Sequence, residues 1–397
     1  MQSREVIRAL VPFLLVLGLL VSPATATEDR RTDARTEIGP ARAAHVTCDE
    51  AIRSAVGWLL ANQREDGAWG SHHSPRWYEV LCDVPGSHDA FRVATTGLCV
   101  MALEDSPFST EESRAAASRG IDAILSDYDV KRPSGFEHYS VWAFGYALRC
   151  LGQWLMAHPD DPRQEAIVTA CRTLVKKLDT YQCLDGGWGY LSLDQVPTYK
   201  PSWTSMSFTT ATCLVGLHRA QEAGIPVPPH VIKKAVRCVE RSRTGVGSFS
   251  YGELWKRSRH AGIDGVKGGA CRTPCCQYAL RLFDAGVREK EESEGLENLL
   301  VRHLRFQKIG VRRPVPHEAW YSISGYFYLY GMQYAALLLE ELPGDLRARY
   351  REPLQQAVLY CRQDDGSFWD YPLYSYHKPY GTAFALLTLS RTVRWGE

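Results

Sequence analysis

The sequence has almost no net charge. It contains 46 Lys and Arg residues against 45 Asp and Glu residues, which gives a formal net charge of +1 at pH 7. Proteins that bind nucleic acids through phosphate contacts usually carry a clear excess of basic residues. The sequence therefore predicts that the protein does not bind nucleic acid or another strongly charged partner.

The sequence also lacks an apolar run long enough to span a membrane. The uncharged apolar stretch at 9–21 has 13 residues, fewer than the ~20 that a membrane-spanning helix needs. It follows Arg4 and Arg8 and precedes the small-residue motif Ala24-Thr25-Ala26, a pattern typical of an export signal. We expect a signal peptide at 1–26, a disordered leader at 27–47 and an exported (periplasmic or extracellular) protein with no membrane span after signal removal. An uncleaved anchor is the alternative.

Cysteine is not scarce in this sequence, which contains twelve. All twelve Cys residues follow the predicted cleavage site, and an even number in an exported chain favours disulfides. Cys99, Cys150 and Cys213 lie in apolar helical stretches, where we interpret them as small core residues. The better disulfide candidates lie in or beside predicted loops: Cys82, Cys183, Cys271, Cys275 and Cys276.

A short pattern recurs along the chain. Three segments, 63–69, 182–188 and 363–368, share a Gln, an Asp-Gly pair and an aromatic residue, and two weaker copies at 134–136 and 247–249 keep only the Gly and the aromatic residue. The aromatic positions are 69, 136, 188, 249 and 368, so the steps are 67, 52, 61 and 119 residues. The last step is about double, and we expect a degenerate copy near 307–311. Such self-similarity indicates stacked supersecondary units.

Each unit is predicted to contain two helices. The first is amphipathic, as in 49–62, and ends at the Asp-Gly turn; the second follows a loop and is apolar nearly all round, so both neighbours bury it. This gives six helix pairs and no convincing strand. The amphipathic helices are predicted to start near residues 49, 111, 163, 229, 294 and 352. The apolar helices are predicted at 94–103, 141–156, 208–220, 274–284, 325–339 and 381–391. Their small residues favour close approach around one axis.

The Gln-x-x-Asp-Gly-x-Trp repeat resembles that of squalene and hopene cyclases, and its relaxed form is similar to the repeats of protein prenyltransferase β-subunits. The resemblance covers residue 49 to the C-terminus. It implies an all-α fold, an α6/α6 toroid (barrel) of six helix pairs, in a single domain over 48–397. It also implies that the Gln amide ties helix ends together and that the aromatic ring stacks on the next repeat. The residues interpreted as structural on this basis are Gln63, Trp69, Gln182, Trp188, Gln363 and Phe368.

One end of such a barrel is more elaborate than the other. The loops after the Asp-Gly turns are long, and seven of the twelve His residues lie at this end together with many Trp and Tyr residues. Long loops on a rigid scaffold usually carry function. We therefore predict that a small apolar or mixed ligand enters a central cavity from this end. The alternative is that these aromatic residues fill the barrel mouth, as in a non-catalytic structural or protein-binding scaffold.

The predicted site residues come from these loops. Imidazoles suit proton transfer near neutral pH, and aromatic rings suit cavity walls. The predicted proton carriers or ligand anchors are His88, Asp89, His138, His317 and His377. The predicted ligand-binding residues are Arg92, Trp142, Trp203, Trp320, Tyr321 and Tyr380. Neither a reaction nor an oligomeric state follows from the sequence.

The catalytic motifs of the resembling families are missing. There is no Asp-x-Asp-Asp motif of the cyclases and no Asp-x-Cys zinc motif of the prenyltransferases before an inner helix. We predict no metal and no cofactor, although a loose set of zinc-type ligands remains: Asp264, Cys271, Cys275, Cys276, His317 and His377. A disulfide at Cys271 or Cys275 is favoured over zinc. Carbohydrate chemistry, which other α6/α6 barrels perform, stays an alternative with the loop carboxylates Asp89, Glu137, Glu318 and Asp370.

Overall fold

The structure is a computed structural model, and it describes residues 46–70, 85–131, 138–191, 205–252, 262–286, 288–305, 327–370 and 377–396. These residues belong to one compact unit, Pro40–Glu397. The predicted signal peptide lies outside the described residues, as do the repeat copies at 134–136 and 307–311. The site and cysteine predictions that lie outside them are Trp203, His317, Trp320, Tyr321, Cys82, Glu137 and Glu318.

The described residues form thirteen α-helices and no β-strand beyond isolated bridges. The outer helices are α1 (Cys48–Ala61), α3 (Glu111–Asp127), α5 (Gln164–Thr180), α7 (Pro229–Arg241), α10 (Glu289–Glu297, continued by a π-turn at Asn298–Arg302) and α12 (Gly344–Leu359). The inner helices are α2 (Pro85–Glu104), α4 (Ser140–Ala157), α6 (Ser207–Glu222), α9 (Thr273–Leu282), α11 (Tyr328–Glu340) and α13 (His377–Arg394). A short helix α8 (Val266–Gly269) precedes α9. No described helix has the length and apolar character needed to cross a membrane.

The inner helices form a closed ring. Each one packs against the next along the chain, from α2 through α4, α6, α9 and α11 to α13, and α13 packs back on α2. At this junction the Cys99 thiol of α2 donates to the carbonyl of Pro379 in α13 at 3.7 Å. The predicted all-α toroid is therefore confirmed. The count of six helix pairs stays a prediction, because it refers to the whole chain.

Small residues bring the inner helices together. A Cβ on Gly216 of α6 would lie 2.5 Å from the carbonyl oxygen of Gly145 in α4. A Cβ on Gly331 of α11 would lie 2.6 Å from the carbonyl oxygen of Cys271. Real Cβ atoms do not approach carbonyl oxygens this closely, so these helix faces touch backbone to backbone. The predicted role of small residues in close packing is confirmed.

The repeated Gln ties its own turn to the next outer helix. The Gln63 Nε2 donates to the carbonyls of Gly67 and of Ala116 in α3, both at 2.8 Å. The Gln182 Nε2 makes the same two bonds, to Gly186 and to Val231 in α7, again at 2.8 Å. One amide thus supplies both of its N–H groups to carbonyls of two neighbouring repeats.

The repeated Trp joins three elements. The buried Trp69 indole donates to the carbonyl of Leu59 in α1 at 2.8 Å, and its backbone N–H donates to the Thr96 hydroxyl of α2 at 3.1 Å. Its Cζ3 lies 3.0 Å from where a Cβ on Gly120 of α3 would be. The same bonds recur around Trp188, with Leu178 at 2.8 Å and Thr210 at 2.9 Å. The structural interpretation of these aromatic residues is confirmed.

The last copy of the repeat is shorter by one residue, which corrects the role expected of Gln363. Only Asp364 separates Gln363 from Asp365-Gly366, whereas two residues fill this interval in the other copies. The Gln363 backbone N–H donates to the carbonyl of Ser367 at 2.8 Å, as Arg64 does to Ala68 at 3.0 Å. Gln363 is therefore the counterpart of Arg64 and not of Gln63. Its Nε2 donates to the Cys361 carbonyl at 2.8 Å, so it does not tie two outer helices.

Four helices start at least four residues earlier than the sequence pattern predicts. α2 starts at Pro85 instead of residue 94, α10 at Glu289 instead of 294, α12 at Gly344 instead of 352, and α13 at His377 instead of 381. Proline is compatible with the first turn of a helix, where its missing N–H would have no helical partner. Pro85 and Pro379 both occupy such first turns, although proline is more often a mark of a loop. As a result, several predicted loop residues lie on the first turns of inner helices.

Most of the described cysteines are buried in helices. The thiols of Cys99, Cys150, Cys171, Cys213, Cys238, Cys275 and Cys276 are free and buried, and that of Cys48 is free and half-buried. Burial raises the pKa of the Cys275 thiol to about 12. The interpretation of Cys99, Cys150 and Cys213 as core residues is confirmed. The disulfide predicted at Cys275 is not formed. Cys275 lies within α9 and not in a loop, and its thiol is buried against Phe208 and Thr212 of α6.

Candidate functional site: an aromatic rim

Half-buried aromatic rings gather at the N-terminal ends of the inner helices. We call them the aromatic rim: Phe91, Trp142, Tyr190, Tyr251, Phe327 and Tyr380. Backbone bonds between successive repeats hold this end together. The His138 N–H, just before α4, donates to the Tyr190 carbonyl at 2.7 Å, and the Ser207 N–H, at the start of α6, donates to the Tyr251 carbonyl at 3.1 Å. The rim therefore lies at the end that the sequence predicts for a ligand.

The rings form one connected series through buried neighbours. On one side, the ring centroids lie 4.9 Å apart for Phe91–Tyr139, 5.6 Å for Tyr139–Tyr190 and 6.1 Å for Tyr190–Trp142. On the other side, they lie 6.1 Å apart for Trp142–Phe208, 5.1 Å for Phe208–Tyr251 and 4.8 Å for Phe208–Phe327. Contacts at such distances favour offset or edge-to-face packing, which fixes the rings in place.

A buried guanidinium supports the rim from below. Arg272 is fully buried, and its Cζ lies 4.9 Å from the centroid of the Tyr251 ring. Its Nη1 and Nη2 donate to the carbonyls of Gly268 at 2.7 Å and Ile263 at 2.8 Å. Burial lowers the pKa of Arg272. The Asp264 carboxylate accepts the Tyr251 N–H at 2.6 Å, so both charged residues hold Tyr251 and its loop.

The buried carboxylates of this end serve the backbone. Asp370 is buried, and its Oδ2 accepts the N–H of Leu329 at 2.9 Å in the first turn of α11. This is a capping role, in which a side-chain oxygen satisfies a helix N–H that has no helical partner. Burial raises the pKa of the Asp264 carboxyl. Neither carboxylate is presented as a catalytic group, and Asp89 on α2 is exposed.

Three of the predicted histidines occupy one sector of the rim. His377 opens α13 and is buried, His88 lies half-buried in the first turn of α2, and His138 is buried directly before α4. These three helices are consecutive in the ring. The His377 ring centroid lies 4.8 Å from that of Tyr380. Their roles as proton carriers or ligand anchors stay predictions.

The predicted ligand residue Arg92 lies beside an Asp-Gly turn. Its Nη2 is 2.9 Å from an Asp127 carboxylate oxygen and 3.2 Å from one of Asp66. Through Arg92, these two ion pairs link the first Asp-Gly turn to α3 on the outer side of α2. A contact of Arg92 with ligand stays a prediction.

One helical turn below the rim, side chains cross the central axis. The Tyr146 and Phe384 rings lie 6.2 Å apart between α4 and α13, and the Thr212 and Tyr330 hydroxyls are 2.9 Å apart between α6 and α11. Neither helix pair is adjacent in the ring, so these contacts bridge the middle of the barrel. The rim therefore has a floor, which these crossing side chains form one helical turn below it. The sequence analysis did not single out these residues. Tyr146, Thr212 and Phe384 lie four positions after Trp142, Phe208 and Tyr380 on apolar helices, and this spacing places each pair on one helix face and could have indicated them.

The loose set of zinc-type ligands does not come together where it is described. Among the described ranges there is no group of three or more His, Cys, Asp or Glu side chains arranged to hold a metal. Asp264 accepts a backbone N–H and Cys275 contacts the Thr212 hydroxyl at 3.8 Å. His317 lies outside the described residues.

A family model described as a domain of unknown function, DUF6288, matches residues 78–273. No curated protein matches the chain. Among solved structures, the chain is similar to the GH76A alpha-1,6-mannanase from Salegentibacter sp. HEL1_6, with 9% identity and a TM-score of 0.52 over 88% of this chain and 100% of that one. It is also similar to the unsaturated glucuronyl hydrolase of Bacillus sp. GL1, described as responsible for the degradation of glycosaminoglycan, with 14% identity and a TM-score of 0.54 over 86% and 97%.

The chain also aligns with the type II terpene cyclase MstE from Scytonema, with 13% identity and a TM-score of 0.49 over 88% of this chain and 99% of that one. At these identities the likeness shows the fold alone. The chain thus has the α/α-toroid fold that these proteins share. The more specific assignment of its repeats to the squalene-cyclase type stays a prediction.

Proposed function

We propose that the protein binds a carbohydrate at the aromatic rim. The observation that carries this proposal is the connected series of half-buried aromatic rings at the N-terminal ends of the inner helices, above a floor of crossing side chains. A sugar is a mixed ligand, with C–H faces that stack on aromatic rings and hydroxyls that need polar partners. A largely apolar ligand would need a deep enclosed cavity, and crossing side chains form a floor one turn below the rim.

The chemistry of the rim fits such a ligand. Trp142, Phe327 and Tyr380 offer ring faces, while Tyr190 and Tyr251 add hydroxyls that contact each other. His88, His138 and His377 supply imidazoles in the adjoining sector. Two solved structures with the same fold, a mannanase and a glucuronyl hydrolase, are carbohydrate-active enzymes by their descriptions. This similarity supports the substrate class.

Catalysis is a further step of the proposal. Hydrolysis of a glycosidic bond usually needs two carboxyl groups across the substrate. Asp264 and Asp370 each accept a backbone N–H, so they hold the scaffold. If the protein is an enzyme, we propose that the imidazoles of His88, His138 and His377 carry the protons, with Asp89, His317 and the predicted loop residues of the same end.

The test is a binding panel with the purified protein. We expect at least one polysaccharide among neutral mannans and acidic glycosaminoglycans to bind in isothermal titration calorimetry. Trp142→Ala should weaken that binding by about 3- to 10-fold, the range expected for one stacked ring. Trp395→Ala is the matched control, because Trp395 lies at the C-terminal end of α13 and donates to Glu340 at 3.3 Å. Absence of binding, or equal weakening by both variants, would contradict the proposal.

A second candidate is a non-catalytic scaffold, and the floor of crossing side chains below the rim favours it. In that case the rim would contact a protein, and no polysaccharide would bind.

We also propose that the protein is exported. Mass spectrometry of the protein from its own host should then find an N-terminus at Thr27, whereas an N-terminus at Met1 would contradict export by cleavage.

A further inference from the structure

An arginine lies in the middle of the barrel, and no carboxylate of the described residues pairs with it. Arg149 belongs to α4 and is 1% exposed. It follows Trp142 and Tyr146 at helical spacing, so the three side chains share one face and run from the rim inward. Its Nε and Nη1 have no hydrogen-bond partner among the described residues.

Two tyrosine hydroxyls face the same region. The Arg149 Cζ lies 5.9 Å from the ring centroid of Tyr334 in α11, which stands opposite α4 in the ring of inner helices. The hydroxyls of Tyr146 and Tyr334 are buried and lie close to each other and to the Thr212 hydroxyl, but no described side chain meets either of them in full hydrogen-bond geometry. Burial raises the pKa of both hydroxyls, so they stay protonated and can donate. Arg149 thus brings unused N–H donors to the axis, beside two tyrosine hydroxyls that can turn toward an acceptor.

The acids at the C-terminal ends of the inner helices pair with other arginines. At the C-terminal ends of the inner helices, Arg391 pairs with Asp105 at 3.3 Å and with Glu340, and Arg394 pairs with Asp105 at 2.8 Å. A buried cation without an anion is costly, and the face of the Tyr334 ring offsets that cost in part. A buried donor without an acceptor adds to it.

We propose that Arg149, Tyr146 and Tyr334 form a binding site for a small carboxylate in the axis of the toroid. One guanidinium balances one negative charge, so a monoanion suits the site, whereas a phosphate dianion would leave a negative charge buried. The carboxylate accepts N–H groups of Arg149 and the O–H groups of both tyrosines. The site lies below the floor of the rim and does not rest on the proposed carbohydrate function.

Thermal unfolding of the full chain in acetate, formate, phosphate and chloride, all at equal ionic strength, tests the site. Acetate or formate should raise the unfolding midpoint in proportion to the logarithm of its concentration once the site is occupied, by about 2–4 °C at ten times the dissociation constant, and more than chloride or phosphate does. Arg149→Met should lose this response, with at least ten-fold weaker binding of acetate. Without carboxylate, Arg149→Met should unfold at a higher temperature than the original protein, because an unneutralised buried charge is gone.

Two further variants complete the test. Tyr334→Phe keeps the charge and removes one donor, so it should weaken acetate binding by about 3- to 10-fold. Arg114→Met, at an exposed position of α3, should respond to acetate like the original protein. Equal stabilisation by acetate and chloride, or an Arg149→Met protein that responds fully, would overturn the proposal. If Arg149→Met does not fold, unchanged acetate binding by Tyr334→Phe overturns it instead.

Discussion

The Trp58 indole of the first outer helix donates to the Asp365 carboxylate of the last Asp-Gly turn at 3.3 Å, across 307 positions of sequence. Beside it, a Cβ on Gly366 would lie 3.1 Å from the Cβ and the carbonyl oxygen of Ser54. Gly67 and Gly186 meet the next outer helices, α3 and α7, in the same way. The last Asp-Gly turn therefore packs on α1 in the way that the Asp-Gly turns at Gly67 and Gly186 pack on the outer helices that follow them. The same kind of contact thus joins successive repeats and closes the ring.

The Asp-Gly turns should be sensitive to a single methyl group. Gly186 has a φ of +97°, and its Cβ would lie 2.7 Å from the carbonyl oxygen of Lys234. Gly245 has a φ of +78° with no atom within 4 Å of its Cβ position. Both Ala variants have backbone strain of about 1–2 kcal/mol, but Gly186→Ala should lose at least ~1 kcal/mol more in the free energy of unfolding. Equal losses in chemical denaturation would show that the contact is unimportant.

The register of the last repeat predicts unequal roles for two glutamines. Gln182→Met leaves the carbonyls of Gly186 and Val231 without their donor and should cost about 1–3 kcal/mol in the free energy of unfolding. Gln363→Met loses one bond to Cys361 in a half-buried position and should cost less than ~1 kcal/mol. Urea denaturation of both variants measures the difference. A larger loss at Gln363 would contradict the shifted register.

Acid stability should depend on Asp161. Hydrogen bonds from Arg163 hold the pKa of its carboxyl below the usual range, and the Trp154 indole also donates to it at 2.7 Å. A folded-state pKa below the unfolded value means that the unfolded chain binds the proton first, so this stabilisation is present above about pH 4 and is lost as the pH falls. Asp161→Asn should lower the free energy of unfolding at pH 7 and flatten its decline below pH 4.

The matched control for this prediction is Asp129→Asn. Asp129 is an exposed partner of Lys177, and exposed ion pairs contribute little to stability. Thermal unfolding from pH 7 to pH 3 compares the two variants. An Asp161→Asn protein with the pH profile of the original protein would contradict the assigned role.

The buried thiols should be inert in the folded protein. The pKa of Cys275 is raised to about 12 by burial, and burial also raises that of Cys276. The thiolate is the reactive form, so both should resist iodoacetamide at pH 8 and react after denaturation. Cys48 is half-buried and should react first. Peptide mass spectrometry locates the label, and rapid native labelling of Cys275 would contradict its burial.

The repeat and its partners could be predicted in part from sequence. Gln63, Trp69, Gln182 and Trp188 have the structural roles expected of them, because each role depends on residues close in sequence or one repeat away. The starts of α2 and α13 were predicted too late, because first turns that contain proline and histidine have no apolar periodicity. The sequence predicts aromatic residues at this end of the barrel, where the structure has the rim, but it does not predict that their rings connect; ligand binding there stays a prediction.

The amino-acid sequence by itself determined the helical units, the turn that separates them and the small residues that let them pack. Only the tertiary structure decided that α13 returns to α2, that Tyr146 and Tyr330 cross the axis, and that Arg149 lies over the ring of Tyr334. The physical reason is the range of the contacts. Helix periodicity and turn chemistry act over a few residues, whereas contacts across the barrel join side chains far apart in sequence, and no local pattern specifies which of them meet.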